Sequence, residues 1–405
     1  MPSGEHPLSR VWMKLARGEA IVAGVLSGTS ADGIDVALVR LGVAGARKPI
    51  AFAVQPFPAA LSSRVRAALD GAGLGARELA FLSRDLGLAF GRAATTLAAE
   101  ASVELDLVGS HGQTVWHHDG VERDGRATLQ IGDGDFVAAA TGAVTVSDFR
   151  TADVALGGEG APLSALCDDE LFPDLPRPVM VLNLGGMANA TLLREGAAPL
   201  AFDTGPANAL LDGLARALLN APYDRGGAVA LRGRAHPGLL AELLQHPFFA
   251  RRPPKSTGRD TFGAPWVARV SARAAELGLG AEDALATGVA LVAESVAGAL
   301  RQFLPGAPRA LILCGGGARN LALTQELERR SALATTSSAE HGVDPDAREA
   351  LVFALLAVRC VLARPSTEPE VTGARPGGVL GKLSFPPQEA RVSKRADGSR
   401  TPEVG

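Results

Sequence analysis

The feature that most constrains this chain is a pattern that occurs twice. Apolar runs at 20–23 and 36–39 flank a turn that contains Gly28 and Gly33, and runs at 179–182 and 190–193 flank a turn that contains Gly185 and Gly186. Each reads as strand, tight glycine turn, strand, a hairpin rather than a strand-to-helix loop. Two such hairpins in separate halves of a 405-residue chain predict an internally duplicated α/β architecture of two domains.

The first turn, Gly28-Thr29-Ser30-Ala31-Asp32-Gly33-Ile34-Asp35, combines hydroxyls, two carboxylates and glycines whose backbone N–H groups can face an anion. Two readings stand at this point. One is an ordinary hairpin turn. The other is a cradle for a nucleotide triphosphate, with Asp32 and Asp35 near enough to hold the waters of a magnesium ion.

Composition excludes several classes. A formal net charge of −3 with interspersed signs lacks the basic face of a nucleic-acid binder, and one Tyr with three Trp offers few stacking platforms. Cys167, Cys314 and Cys360 have no CxxC spacing, so neither a disulfide framework nor a zinc ribbon is expected, and a reducing cytoplasm suits them. No apolar run reads as long and uninterrupted enough to span a bilayer, so no membrane partner is expected. Residues 1–19 and 384–405 read as disordered tails.

Helical spacing is predicted at 61–69, 78–100, 206–219, Ala281–Phe303, 321–330 and 345–363. Residues 105–109 form a short buried strand that feeds Ser110-His111-Gly112-Gln113-Thr114 as a loop. Domain I is placed at 20–150 with a returning segment 344–382, and domain II at 151–343, the run 156–162 between them being a flexible hinge.

No Walker A, HExxH or GxSxG motif occurs, which removes three large enzyme classes. Gly315-Gly316-Gly317, between a buried strand and a helix, exceeds what a tight connection needs and fits close approach to a nucleotide. Asp203-Thr204-Gly205 also occurs in aspartic proteases, but here the loop leads into a helix of an α/β chain. Asp203 is either a general base at a strand end or an N-cap of that helix, and spacing alone leaves both open. His111, Gln113 and Thr114 are candidates for hydrogen bonds to a polyol, with a purely local role for His111 as the alternative. Arg150 is placed to meet a carboxylate or phosphate, or to form a surface ion pair. The stretch Lys255-Ser256-Thr257-Gly258-Arg259 is an anion site or a solvated loop.

In this order the motifs resemble anhydro-N-acetylmuramic acid kinases, sugar kinases of the actin/hexokinase/Hsp70 superfamily. The likeness runs from about residue 24 to 381 through Ser27-Gly28-Thr29-Ser30, His111-Gly112-Gln113-Thr114, Asp148-Phe149-Arg150, Asn183-Leu184-Gly185-Gly186, Phe202-Asp203-Thr204-Gly205, Lys255-Ser256-Thr257-Gly258 and Gly315-Gly316-Gly317-Ala318-Arg319-Asn320. The resemblance implies a two-domain actin-like (duplicated ribonuclease H-like) fold with its site in the interdomain cleft. It implies use of ATP and Mg2+ to open and phosphorylate the anhydro sugar, in a cytoplasmic protein that is a monomer or a homodimer. On that footing Asp203 is the base. Gly28 to Asp35, with Asn183, Gly185, Gly186, Gly315, Gly316, Gly317 and Asn320, would hold ATP, and His111, Gln113, Thr114, Arg150 and Glu349 would hold the sugar. Another sugar as substrate, or an ATP-gated binder without catalysis, are the alternatives. The chain departs from the pattern at Leu26, where Met is frequent, at Ala31, where Leu is usual, and at Glu159, where Gln is common.

Overall fold

The computed structural model describes residues 6–28, 33–43, 47–69, 73–119, 125–304 and 306–387. Thr29, Ser30, Ala31 and Asp32, expected at the first phosphate turn, lie outside them.

The first sheet contains β1 (Ala20–Ser27), β2 (Ile34–Leu41), β3 (Arg47–Gln55), β4 (Leu107–Asp119), β5 (Arg126–Ile131), β6 (Val144–Ser147) and the late strand β12 (Lys382–Ser384). The second contains β7 (Val179–Leu184), β8 (Met187–Arg194), β9 (Ala197–Pro206), β10 (Ala310–Cys314) and β11 (Ala334–Ser337). In the first, the order β3-β2-β1-β4-β6 has two antiparallel pairs and then two parallel ones. In the second, β9-β8-β7-β10-β11 repeats that order and those directions. This is the duplicated ribonuclease H-like topology of the actin-like ATPases, and the two glycine hairpins occupy equivalent places in it. Both β1 and β7 are buried along their whole length, as central strands covered on both faces must be.

Helix Arg348–Val361 packs on the first sheet and joins a continuous apolar core that also takes in Val181, Ile312 and Cys314 of the second. Gly24 and Gly109, paired across β1 and β4, make the notch it lies in. A Cβ on Gly24 would fall 1.7 Å from Ala350 O, and one on Gly109 2.0 Å from Phe353 O. Arg348, at the head of this helix, is buried in a bidentate pair with Asp168, at 2.6 Å to each oxygen.

Several expectations change. Pro7–Arg17 is a helix rather than part of a disordered leader. Its Val11 and Leu15 are buried, and Trp12 Nε1 donates to Val361 O at 2.7 Å. Strand β12 runs through Ser384, where a tail was expected to begin. Residues 110–114 are not a loop but the continuation of β4, because beyond the reach of β6 the strand stays paired with β1 as far as Gln113 and from Gln113 onward gains β5 as an antiparallel partner. Helix Ala281–Phe303 is by length and composition apolar enough to cross a membrane, contrary to the reading of the chain, and 72% of its apolar window is buried inside the fold.

Candidate active site

Asp203 lies in β9, four residues ahead of Ala207, which is the N-cap of helix Asn208–Leu219. That removes the cap reading. A register shift in the β8–β9 ladder sets Asn189 opposite Asp203, and its Nδ2 donates to Oδ1 at 2.9 Å. The backbone N–H of Thr257 donates to Oδ2 at 2.8 Å, so each carboxylate oxygen has one donor. Burial, against these two bonds, pushes the Asp203 carboxyl up to about 6, with the negative charge of Glu159 adding to the rise. An ionised carboxylate with a pKa near neutrality is the combination a general base requires.

Arg150 lies close enough to Asp203, Glu349 and Asp153 to feel their charges. Its Nε donates to His111 Nε2 at 2.7 Å and its Nη1 to Gly160 O at 2.6 Å. The surface ion-pair reading of Arg150 is therefore replaced by a built position. Glu349, in the first turn of its helix, accepts from Asn183 Nδ2 at 2.8 Å and so ties the second hairpin to the Arg150 cluster. Gln113 is fully buried and its amide donates to Gly28 O (3.3 Å) and Thr114 O, which makes it a brace for the first hairpin. Thr114 accepts from Gln130.

At the second hairpin, Gly185 O and Gly186 O accept the N–H groups of Ala207, Asn208 and Ala209. Because the trans peptide sets N–H and C=O in opposite directions, the N–H of Gly186 points away from that helix. Gly315 has φ +75°, and a Cβ there would lie 2.7 Å from Asn183 Oδ1, so the triple-glycine loop lies flat on the hairpin. Beside it opens a cavity of about 410 Å3 lined by Ala318, Arg319, Ser337, Ala339, Asp344 and Pro345. Asn320 differs from expectation: its Oδ1 caps helix Leu321–Ser331 at Leu323 N.

Reading the chain missed three contributors. Lys255 is not solvated; its Nζ lies over the rings of Phe248 (4.5 Å) and Phe303 (4.9 Å), and burial brings it down to about 8 although the charge of Asp203 opposes the fall. Glu159, in the expected flexible hinge, is buried and accepts from Ser256 Oγ at 2.9 Å. Asn189 is not singled out by its place in the second hairpin. Its pairing with Asp203 follows from the hairpin register but needs the one-residue shift to be known.

A family model described as anhydro-N-acetylmuramic acid kinase matches residues 20–386. An anhydro-N-acetylmuramic acid kinase of Gloeobacter violaceus is 43% identical over 375 residues, covering 90% of this chain and 98% of that one. One of Salinibacter ruber is 43% identical over 388 residues, covering 91% and 97%. Solved structures align more loosely: a ROK family glucokinase from Streptomyces griseus shares 14% identity at TM-score 0.38, over 84% of this chain and all of that one.

Proposed function

The chain belongs to the anhydro-N-acetylmuramic acid kinase family, and from that premise we propose that it opens 1,6-anhydro-N-acetylmuramic acid and phosphorylates it with ATP, in cell-wall recycling. The observation that carries the reading is Asp203, held from both sides within β9 and close to Arg150, which also faces Glu349. Asp203 takes a proton from a water that attacks the anomeric carbon. The bond from that carbon to the bridging oxygen breaks, and the freed oxygen attacks the γ-phosphorus of ATP. ADP leaves, the water's hydroxyl stays on the anomeric carbon, and Asp203 returns its proton to solvent.

Arg150, oriented by His111 and Gly160 O, binds an anionic group of the sugar. The backbone of Gly28 and Gly33, the Gly185-Gly186 turn and the Gly315–Gly317 loop flank the nucleotide. Magnesium, when bound, screens the charge that the transfer spreads over phosphate oxygens. Ser27 Oγ, buried at the end of β1 without a partner among the described residues, and Asp35, paired with Leu26 at the head of β2, suit an ion that keeps its waters and takes one or two carboxylates. Asp32 would be the second carboxylate. The three free thiols support a reducing, cytoplasmic setting.

The test is incubation with the anhydro sugar, ATP and magnesium, read by mass spectrometry. A product heavier by one phosphoryl group and one water supports the reading. Gain of a phosphoryl group alone would point to another acceptor chemistry, and no product would overturn the assignment.

A further inference from the structure

We propose that Glu159 is a positioning residue for Asp203, holding through Ser256 the loop whose backbone fixes that carboxylate. The connections are short and buried. Ser256 Oγ donates to Glu159 Oε2 at 2.9 Å. The residues on either side of Ser256 both bind Asp203: Lys255 O accepts from Asp203 N at 3.0 Å, and Thr257 N donates to Asp203 Oδ2 at 2.8 Å. A shift of Ser256 therefore moves both backbone contacts of the base together.

Glu159 is itself fixed from a different part of the chain. Its N–H donates to Thr372 O at 2.8 Å, and the next residue, Gly160, donates its N–H to Asp153 Oδ2 at 2.8 Å. Thr372 Oγ1 closes the arrangement on Asp153 Oδ1 at 2.7 Å. The loop at 157–160 is thus a rigid anchor, and what it presents to the Asp203 side is a carboxylate.

That carboxylate also acts through its charge. Around Asp203 stand Glu159, Lys255 and Arg150. Around Glu159 stand Asp203, Asp153 and Arg126, whose Nη2 lies 3.7 Å from Oε1. Of these groups Glu159 is the anion that opposes ionisation of Asp203, so it makes the base stronger.

The inference rests on Asp203 being the base, and three variants test it. Glu159→Ala is expected to lower kcat at least severalfold with the KM for ATP unchanged, and Ser256→Ala to do the same. The double variant should be no worse than either single one, since both break one connection. Glu159→Gln keeps an acceptor for Ser256 and loses the charge. It is expected to restore most of kcat while moving the acidic limb of the kcat/KM profile to lower pH. A merely structural role would not move that limb. If Asp203→Asn is inactive but Glu159→Ala and Glu159→Gln both match the parent in kcat and pH profile, the inference is wrong and the base assignment stands. If Asp203→Asn keeps full activity, the base assignment has failed.

Discussion

Arg150 Nε donates to His111 Nε2 at 2.7 Å while Nδ1 of the same ring lies 3.0 Å from Gly112 O. One nitrogen meets a donor and the other an acceptor, so the ring is neutral with its proton on Nδ1. Burial, with the guanidinium alongside, holds its pKa well below 6.5. His111 is therefore an orienting acceptor for Arg150 and no proton carrier. Replacing it with Phe removes the acceptor but keeps the ring that packs on Phe353. The KM for the sugar is expected to rise roughly 10- to 100-fold, the range of a hydrogen bond to a charged group, with the KM for ATP unchanged. Steady-state kinetics in both substrates checks this, and an unchanged sugar KM would remove Arg150 from the sugar site.

Asp203→Asn is expected to lower kcat by roughly 10²- to 10⁴-fold, the usual contribution of a general base. ATP binding, measured by calorimetry, should survive because neither glycine turn depends on this side chain. In the parent, kcat/KM should fall as pH drops through about 6, where the carboxylate takes up its proton.

The same carboxylate costs stability at neutral pH. Its folded pKa of about 6 is raised above the ordinary 3.8, so its favourable contribution is fully present below 3.8 and is lost as pH rises through 6. Asp203→Asn should thus melt higher than the parent at pH 7.5, by on the order of 1–3 kcal/mol, and the gain should vanish by pH 4. Asn189 can accommodate the change by turning its amide, since its buried Oδ1 has no partner among the described residues. Melting curves across that range decide it; an equal gain at every pH would contradict the linkage.

Arg348 and Asp168 are exposed by 1% and 0% at their side chains. Arg348→Met leaves a buried carboxylate without its counter-charge and is expected to destabilise by about 3–5 kcal/mol. Adding Asp168→Asn should recover a large part of that loss. Denaturant titrations of the two variants test it, and a double variant no better than the single would refute a charge-based cost.

Gly315→Ala places a methyl 2.7 Å from Asn183 Oδ1 at a φ of +75°. The loop must lift from the second hairpin, so the KM for ATP should rise while that for the sugar holds. Kinetics with each substrate varied in turn separates the two; an unaffected ATP KM would take this loop out of the nucleotide site.

Local pattern made part of this molecule legible. The two hairpins could be read because a glycine turn between apolar runs needs only neighbouring residues, and the largely buried helix Ala281–Phe303 shows its bounds through composition alone. Asp203 was visible as a candidate base by type and place, yet its alternative as a helix cap fell only when Ala207 proved to be the cap. What stayed hidden depends on partners distant in sequence. Glycines at 157–160 suggest freedom, and it takes Asp153, Thr372 and Ser256 to remove it. Polar residues at 110–114 suggest a loop until β1 and then β5 offer them a ladder. The N-terminal helix intersperses its apolar residues with Arg10, Lys14 and Arg17, and only the fold shows that Val11 and Leu15 find a core.

The notch at Gly24 and Gly109 has a mechanical consequence. Backbone oxygens of helix Arg348–Val361 fill the space where side chains would stand, so the helix is keyed to the first sheet and cannot slide over it. At its first turn the same helix is tied to the second hairpin, where Asn183 Nδ2 donates to Glu349 Oε1. The helix thus carries the position of the first sheet directly to the second hairpin.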